Sequence, residues 1–460
     1  MNCPPVKIFV RIVWACVLFF ACVGGVDAQG SKAKKDQVVI VHAGTLLAVP
    51  GEEVRTAQTI VVRNGRIESI RDGYLDSLAV EHDDDEHLIV VDWRDEFVMP
   101  GLMDAHVHLA RASGSYASGG GRQSNVYAEP GNSTVNALIN ARLNLAAGFT
   151  TLRDLGSGPY AVFAVRDAIA AGKFAGPDII AAGPSISVTG GHTLFTPGAD
   201  PDERARAGIC DGADDCRRLT RYLEKQGADV IKFKSTGGFS SNTGLDQHMY
   251  QSEMRAIIDA AHQRGLRVTT HAYDPDAIRE AVEAGVDSIE HGYKMDDAGI
   301  RLMKKTGAFL VPTLTVAKPP AIALRFMPKG EEPASVLIRN EYRAFERAYE
   351  AGVNIAFGTD CGIYPHGRNA DEFVSMVRLG MTPMDALRSA TVANAILFGV
   401  EHDKGTLEAG KIADLIAVVG DPLADIAAMR DVIGVIKSGR LVKQDTELLP
   451  LLDLSLPQRY

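Results

Sequence analysis

In 99-MPGLMDAHVHLA-110, His106 and His108 stand one residue apart behind an apolar run. Residues i and i+2 of a β-strand leave the same face, so both imidazoles would point together and suit one metal ion. A surface pair with the same spacing is the alternative, and the rest of the chain decides between them. Further on, metal-competent or catalytic side chains fall where apolar strands run out. They are Lys232 and Lys234 in 228-ADVIKFKST-236, His271 in 267-RVTTHAY-273, His291 in 288-SIEHGYK-294 and Asp360 in 354-NIAFGTDCG-362. A lone strand-end histidine is ordinarily structural. Four histidines and an aspartate at strand ends of one fold are hard to explain as packing.

Such groups need a scaffold that brings strand ends together. From residue 98 the chain alternates apolar strands with amphipathic helices. Eight candidate strands run over 97–108, 149–156, 178–187, 228–236, 267–273, 288–294, 309–316 and 354–362. Helical segments such as 251–265 and 274–285 lie between them, the latter opening on Asp274-Pro275 and closing on Gly285. This succession predicts an α/β fold, a (β/α)8 TIM-like barrel over 98–403, with its site at the C-terminal strand ends. A doubly wound open sheet is the runner-up, weakened because no Gly-rich phosphate loop follows the first strand. Residues 38–97 read instead as short strands, with Asn64-Gly65 marking a hairpin. Strand-and-turn texture returns over 404–446, where 437-KSGRLV-442 echoes 63-RNGRIE-68. Both ends therefore build one small β-sandwich domain beside the barrel.

With 46% hydrophobic and 23% charged residues, the composition excludes global disorder, and a net charge of −10 argues against a nucleic-acid binder. Lys7 and Arg11 precede the short apolar run 12-IVWACVLFFACV-23, and small residues surround Ala28. This reads as a signal peptide over 1–28, leaving a secreted or periplasmic chain with no stable membrane span. A lipoprotein anchored at Cys22 fits less well, because Phe19 and Phe20 precede it. Export permits a disulfide between Cys210 and Cys216 across 211-DGADD-215, with Cys361 left over; three free thiols are the alternative. The loop 111-RASGSYASGGGRQSNVYAEPG-131 is rich in Gly and Ser and has the texture of a lid.

PGLMDAHVH, the fourth-strand lysine, the single histidines of strands five and six, FGTDCG and GTLEAGKIADLIAV together resemble the amidohydrolase superfamily, in its binuclear-metal members. The segments 190-GGHTL-194, 231-IKFKSTGG-238, 286-VDSIEHG-292 and 358-GTDCGIYPHG-367 are similar to its exported dipeptidase group. That group includes Xaa-Pro and Xaa-Arg/Lys dipeptidases and ochratoxin-type amidases.

The resemblance covers nearly the whole mature chain and implies two divalent ions, with Zn²⁺ suited to a His/oxygen set and Mn²⁺, Co²⁺ or Fe²⁺ as the alternatives. His106, His108 and Asp360 would hold the more buried ion, and His271 and His291 the second. An N6-carboxylated lysine would bridge them. Strand parity leaves Lys232 and Lys234 equal, and the family pattern places the modification in the IK dipeptide, at Lys232. The implied reaction is hydrolysis of an amide bond in dipeptides or N-acyl amino acids by a metal-bridging hydroxide. Asp360 would carry the proton to the leaving amine, with His291 and His192 as the other catalytic candidates.

Weaker expectations attach to His192, Lys234, Tyr273 and His366 as substrate contacts, the alternative for each being a packing or loop-ordering role. Arg153 and Asp154 read as an ion pair under the site. His248, His262 and His402 read as structural, and Cys361 points away from Asp360 by parity. A cyclic-amide hydrolase of imidazolonepropionase or hydantoinase type, or an ester or lactone hydrolase, would use the same centre. A non-catalytic scaffold is more distant, because every ligand position is filled. The partner is a small molecule; a homo-oligomer is compatible with the sequence.

Overall fold

The computed structural model describes residues 37–76, 79–81, 87–111, 130–192, 201–238, 244–316, 334–445, 447–448 and 450. The expected signal segment 1–28 and nearly all of the loop 111–131, read above as lid-like, lie outside them. No helix among the described residues is long and apolar enough to cross a membrane.

The first four strands are β1 (Gln37–Leu46), β2 (Arg55–Arg63), β3 (Arg66–Asp72) and β4 (His87–Pro100). The last four are β13 (Leu415–Val418), β14 (Val432–Lys437), β15 (Arg440–Gln444) and β16 (Glu447–Leu448). They form one eight-stranded hydrogen-bonded order, β16-β15-β14-β13-β4-β1-β2-β3, in which β13 pairs antiparallel with β4. Both chain ends do share a sheet. It folds over on itself, because Ile60, Val62 and Ile67 from one end share a buried cluster with Leu415, Ala417 and Ile436 from the other.

The two echoing hairpin turns also meet. Asn64 and Gly65 have φ of 51° and 86°, and Ser438 and Gly439 have 50° and 74°. Such pairs of positive φ make the primed turns that match strand twist. A Cβ on Gly439 would stand 2.5 Å from Gly65 Cα, so this approach requires glycine.

Between these ends lie β5 (Leu102–Val107), β6 (Phe149–Asp154) and β7 (Asp178–Ala181), parallel in one sheet. A second parallel sheet contains β8 (Val230–Lys234), β9 (Arg267–Ala272), β10 (Ser288–His291), β11 (Phe309–Val311) and β12 (Asn354–Ile355). Isolated parallel bridges pair Val107 with Cys361 and Ile186 with Phe233. All eight expected strands are present and helices separate them, but β7, β10, β11 and β12 are shorter than expected, and β12 ends at Ile355, before Asp360. In the helix Pro275–Ala284, Asp274 accepts from the N–H groups of Asp276 and Ala277, and Gly285 ends it at φ 99°.

The first expected strand is shorter than 97–108. Phe97–Pro100 belong to β4 and pair with β13, and only residues after Gly101 join the parallel sheet. A Cβ at Gly101 would fall 2.4 Å from Thr150 Oγ1, so the chain crosses between the two sheets where only glycine fits. Cys210 and Cys216 are disulfide-bonded with Cα atoms 5.0 Å apart, and Cys361 is free and buried.

Candidate active site

The strand ends carry unusual backbone. His291, Thr313 and Asp360 have φ of 73°, 52° and 58°, a left-handed conformation uncommon outside glycine. Strain of this kind persists only where surrounding contacts over-determine it, and it concentrates at functional sites. At His291 its effect is direct. Alternation in β10 points Glu290 into the interior, and the left-handed turn swings the next residue back to the same place.

Asp360 Oδ1 lies 3.0 Å from His108 Nε2 and 3.6 Å from His106 Nε2. Ligand atoms of His106, His108 and Asp360 all lie within 4.8 Å of one another, and all three residues are buried. His106 Nδ1 faces Glu290 Oε2 at 2.7 Å, and His108 Nδ1 faces the Gly156 carbonyl at 3.0 Å. Each acceptor demands an N–H opposite it, so both Nε2 atoms are left as lone pairs. Burial pushes His106 down to about 4 and His108 well below its usual range, keeping both rings neutral. Two lone pairs and a carboxylate oxygen thus converge, burial raises the Asp360 carboxyl above its usual range, and Asp360 Oδ1 has no hydrogen-bond partner among the described residues. A divalent cation fits this donor set.

His271 and His291 lie outside that three-residue cluster but join it through ring contacts. Centroids are 5.1 Å apart for His106–His291, 4.6 Å for His291–His271 and 4.7 Å for His271–His192. His271 Nε2 donates to the Gly237 carbonyl at 2.9 Å, and His291 Nδ1 meets Thr313 Oγ1 at 2.7 Å, so among the described residues each ring's other nitrogen makes no hydrogen bond. Burial depresses both, as it does His192.

The two lysines that parity could not separate differ here. Lys232 Nζ is buried with no hydrogen-bond partner among the described residues, whereas Lys234 Nζ donates to the His192 carbonyl at 2.8 Å. Burial pushes Lys232 down to about 8 and Lys234 to about 7.

Tyr273 packs edge-on against His271 at 4.5 Å and near His291 at 5.3 Å, so it belongs to the site. His366 stands behind His108 instead. Its Nδ1 meets Asn144 Nδ2 at 2.9 Å and its Nε2 faces the His108 carbonyl at 3.3 Å. His248 bonds the Lys234 carbonyl, His262 pairs with Asp287, and exposed His402 stands apart, all as expected of structural residues. Cys361 bonds Pro365 rather than joining the cluster.

Glu290 is the residue sequence reasoning passed over. It is wholly buried, accepting from Arg153 Nη2 at 2.8 Å and from Ser288 Oγ at 2.9 Å as well as from His106. Burial raises its carboxyl, but Arg153 and His106 outweigh that and hold it below the usual range. A glutamate inside an otherwise apolar strand was the available signal. The expected Arg153–Asp154 pair does not form. Adjacent strand residues diverge, so Arg153 reaches Glu290 while Asp154 accepts from the Leu109 N–H and from Ser157. Asp104 was also unassigned; it accepts from the His106 N–H, from Thr359 and from Asn369, tying β5 to the Asp360 segment.

Residues 97–442 match the Amidohydrolase family. An ochratoxinase from Aspergillus niger is 29% identical over 443 residues, covering 88% of this chain and 87% of that one. Its crystal structure superposes with a TM-score of 0.75 at 26% identity, over 89% of this chain and 96% of the other. A crystal structure of a Xaa-Pro dipeptidase with methionine in its active site gives a TM-score of 0.79 at 35% identity, over 88% and 100% of the two chains. A prolidase complexed with N-methylphosphonate-L-proline gives 0.77 at 29%, over 89% and 100%. These likenesses imply a TIM-barrel hydrolase with a second domain. The chain belongs to the amidohydrolase family and is a hydrolytic enzyme acting on C–N bonds.

Proposed function

We propose that the protein is a binuclear metal-dependent dipeptidase or N-acyl amino acid amidase, working at the mouth of a closed (β/α)8 barrel. The observation that carries this reading is the meeting of two oriented imidazoles and a carboxylate, all buried, with ligand atoms within 4.8 Å of one another. His106, His108 and Asp360 hold one ion, His271 and His291 the other, and carboxylated Lys232 completes the set. Its buried, unpartnered Nζ supports that assignment over Lys234, whose amine is already engaged. The neutral amine adds to CO2, forming the N–C bond as it releases a proton. When bound, two divalent ions, Zn²⁺ by donor type, supply a water nucleophile active at neutral pH and a Lewis acid for the scissile carbonyl. Asp360 takes the proton of the attacking water and delivers it to the leaving amine. His192 and Tyr273 border the reacting carbonyl.

A carboxylate on the amine side of the substrate fits the charge at the mouth. Arg111 lies one turn past His108, its N–H bonding the His108 carbonyl at 3.3 Å, and Asn140 Nδ2 holds its own carbonyl at 2.7 Å. The Arg111 charge contributes to depressing His108, His192 and Lys234. An incoming carboxylate would pair with the Arg111 charge. The methionine and prolyl ligands of the two similar crystal structures are molecules of this kind. The test is a panel of Xaa-Xaa dipeptides, N-acyl amino acids, C-terminally amidated dipeptides, cyclic amides and lactones. Free-carboxylate amides should be cleaved, and Arg111→Met should raise KM for them on the order of tenfold with little change in kcat. Turnover of cyclic amides or lactones alone would overturn the substrate class.

We further propose that residues 1–28 direct export, a reading that the Cys210–Cys216 disulfide supports. An exported protein starting near Gln29 is expected; cytoplasmic protein retaining Met1 would contradict it.

A further inference from the structure

We infer that Glu372 is a positioning residue for His291, acting through Thr313; the inference rests on His291 being a metal ligand as proposed above. Glu372 opens the helix Asp371–Arg378 after the Asp360 loop and is wholly buried. Its Oε1 accepts from the Leu314 N–H at 2.7 Å, and its Oε2 from the Thr315 N–H at 2.8 Å and Thr315 Oγ1 at 2.6 Å. Three donors from one short segment thus end on one carboxylate. That segment directly follows Thr313, a β-branched residue at φ 52°, where a left-handed backbone is a marked outlier. Nothing local favours that conformation in threonine. The Glu372 clamp on the next two residues is what holds it.

The consequence is at the metal site. Held in this turn, Thr313 presents Oγ1 to His291 Nδ1 at 2.7 Å. With the metal on Nε2, that hydroxyl accepts from Nδ1–H, so the proton stays on Nδ1 and Nε2 is the ligating lone pair. A carboxylate is required at 372 because both its oxygens accept. Glutamine has the same volume but turns an NH2 group toward one set of donors.

The experiment compares wild type, Glu372→Gln, Thr313→Val, Thr313→Ser and the Glu372→Gln/Thr313→Val double variant in two ways. Retention of the more weakly held metal is titrated with a chelator. The His291 tautomer is read from imidazole ¹⁵N shifts in metal-free protein. Glu372→Gln and Thr313→Val should each weaken that metal about 10- to 100-fold, the range for groups that orient a ligating histidine. Thr313→Ser should behave as wild type. The double variant should be no worse than the weaker single, since both changes break one chain of contacts. In both singles the His291 proton should no longer be confined to Nδ1.

Strictly additive losses, or wild-type metal retention and tautomer in Glu372→Gln, would overturn the assignment. Should Glu372→Gln fail to fold, Glu372→Asp keeps the charge, withdraws the carboxylate by one methylene and is read by the same outcomes. A wild-type protein that binds no metal would remove the proposed function. The ¹⁵N comparison would still test the link from Glu372 to His291.

Discussion

Replacing Asp360 by asparagine is expected to lower kcat on the order of 10²-fold or more while the protein folds normally. The fold survives because asparagine is, with aspartate, the non-glycine residue best suited to the left-handed backbone found there at φ 58°. Shape and one oxygen ligand remain, so much of the metal should be retained. What is lost is a base within 3.6 Å of both His106 and His108 that can take a proton and return it. The leaving nitrogen needs that proton only as the C–N bond breaks, so the group acts in the transition state. Its removal should lower kcat and kcat/KM together, whereas loss of plain binding raises KM alone. Steady-state kinetics on a cleaved dipeptide separate the cases. Near wild-type kcat with a raised KM would assign the proton to His192 or His291.

Lys232→Ala should be inactive, and a short carboxylic acid supplied with metal should restore part of the activity. The physical ground is the Nζ that burial pushes down to about 8, with no partner among the described residues. An unsatisfied buried amine is costly, and a bridging carboxylate formed on it would end that cost. Lys234→Ala removes instead the donor that holds the His192 carbonyl, and should mainly change substrate affinity. Activity in Lys232→Ala together with a dead Lys234→Ala would reverse the two roles.

Much of the site was legible because its residues sit at strand ends, where alternation and a change from apolar to polar type are visible locally. His106 and His108 announce themselves by spacing, and all eight parallel strands follow from apolar runs divided by capped helices. What stayed hidden depends on backbone the pattern cannot express. Alternation places Glu290 and His291 on opposite sides of β10, and only the φ of 73° at His291 brings both to the site. Arg153 looked like a partner for its neighbour Asp154, yet its guanidinium pairs with Glu290, 137 residues away. Glu372 contacts Leu314 across 58 residues of chain, and no local signal marks that pairing. Phe97–Pro100 read as barrel because they are apolar, but their pairing with β13 assigns them to the small sheet.

The central claim is that His106, His108, Lys232, His271, His291 and Asp360 together hold two ions. Elemental analysis of the purified, active protein, set against its activity during chelator titration, tests this most directly. The account predicts close to two divalent ions per chain, with hydrolysis lost as they are withdrawn and regained on their return. Full activity in protein carrying well under one equivalent of metal would contradict it.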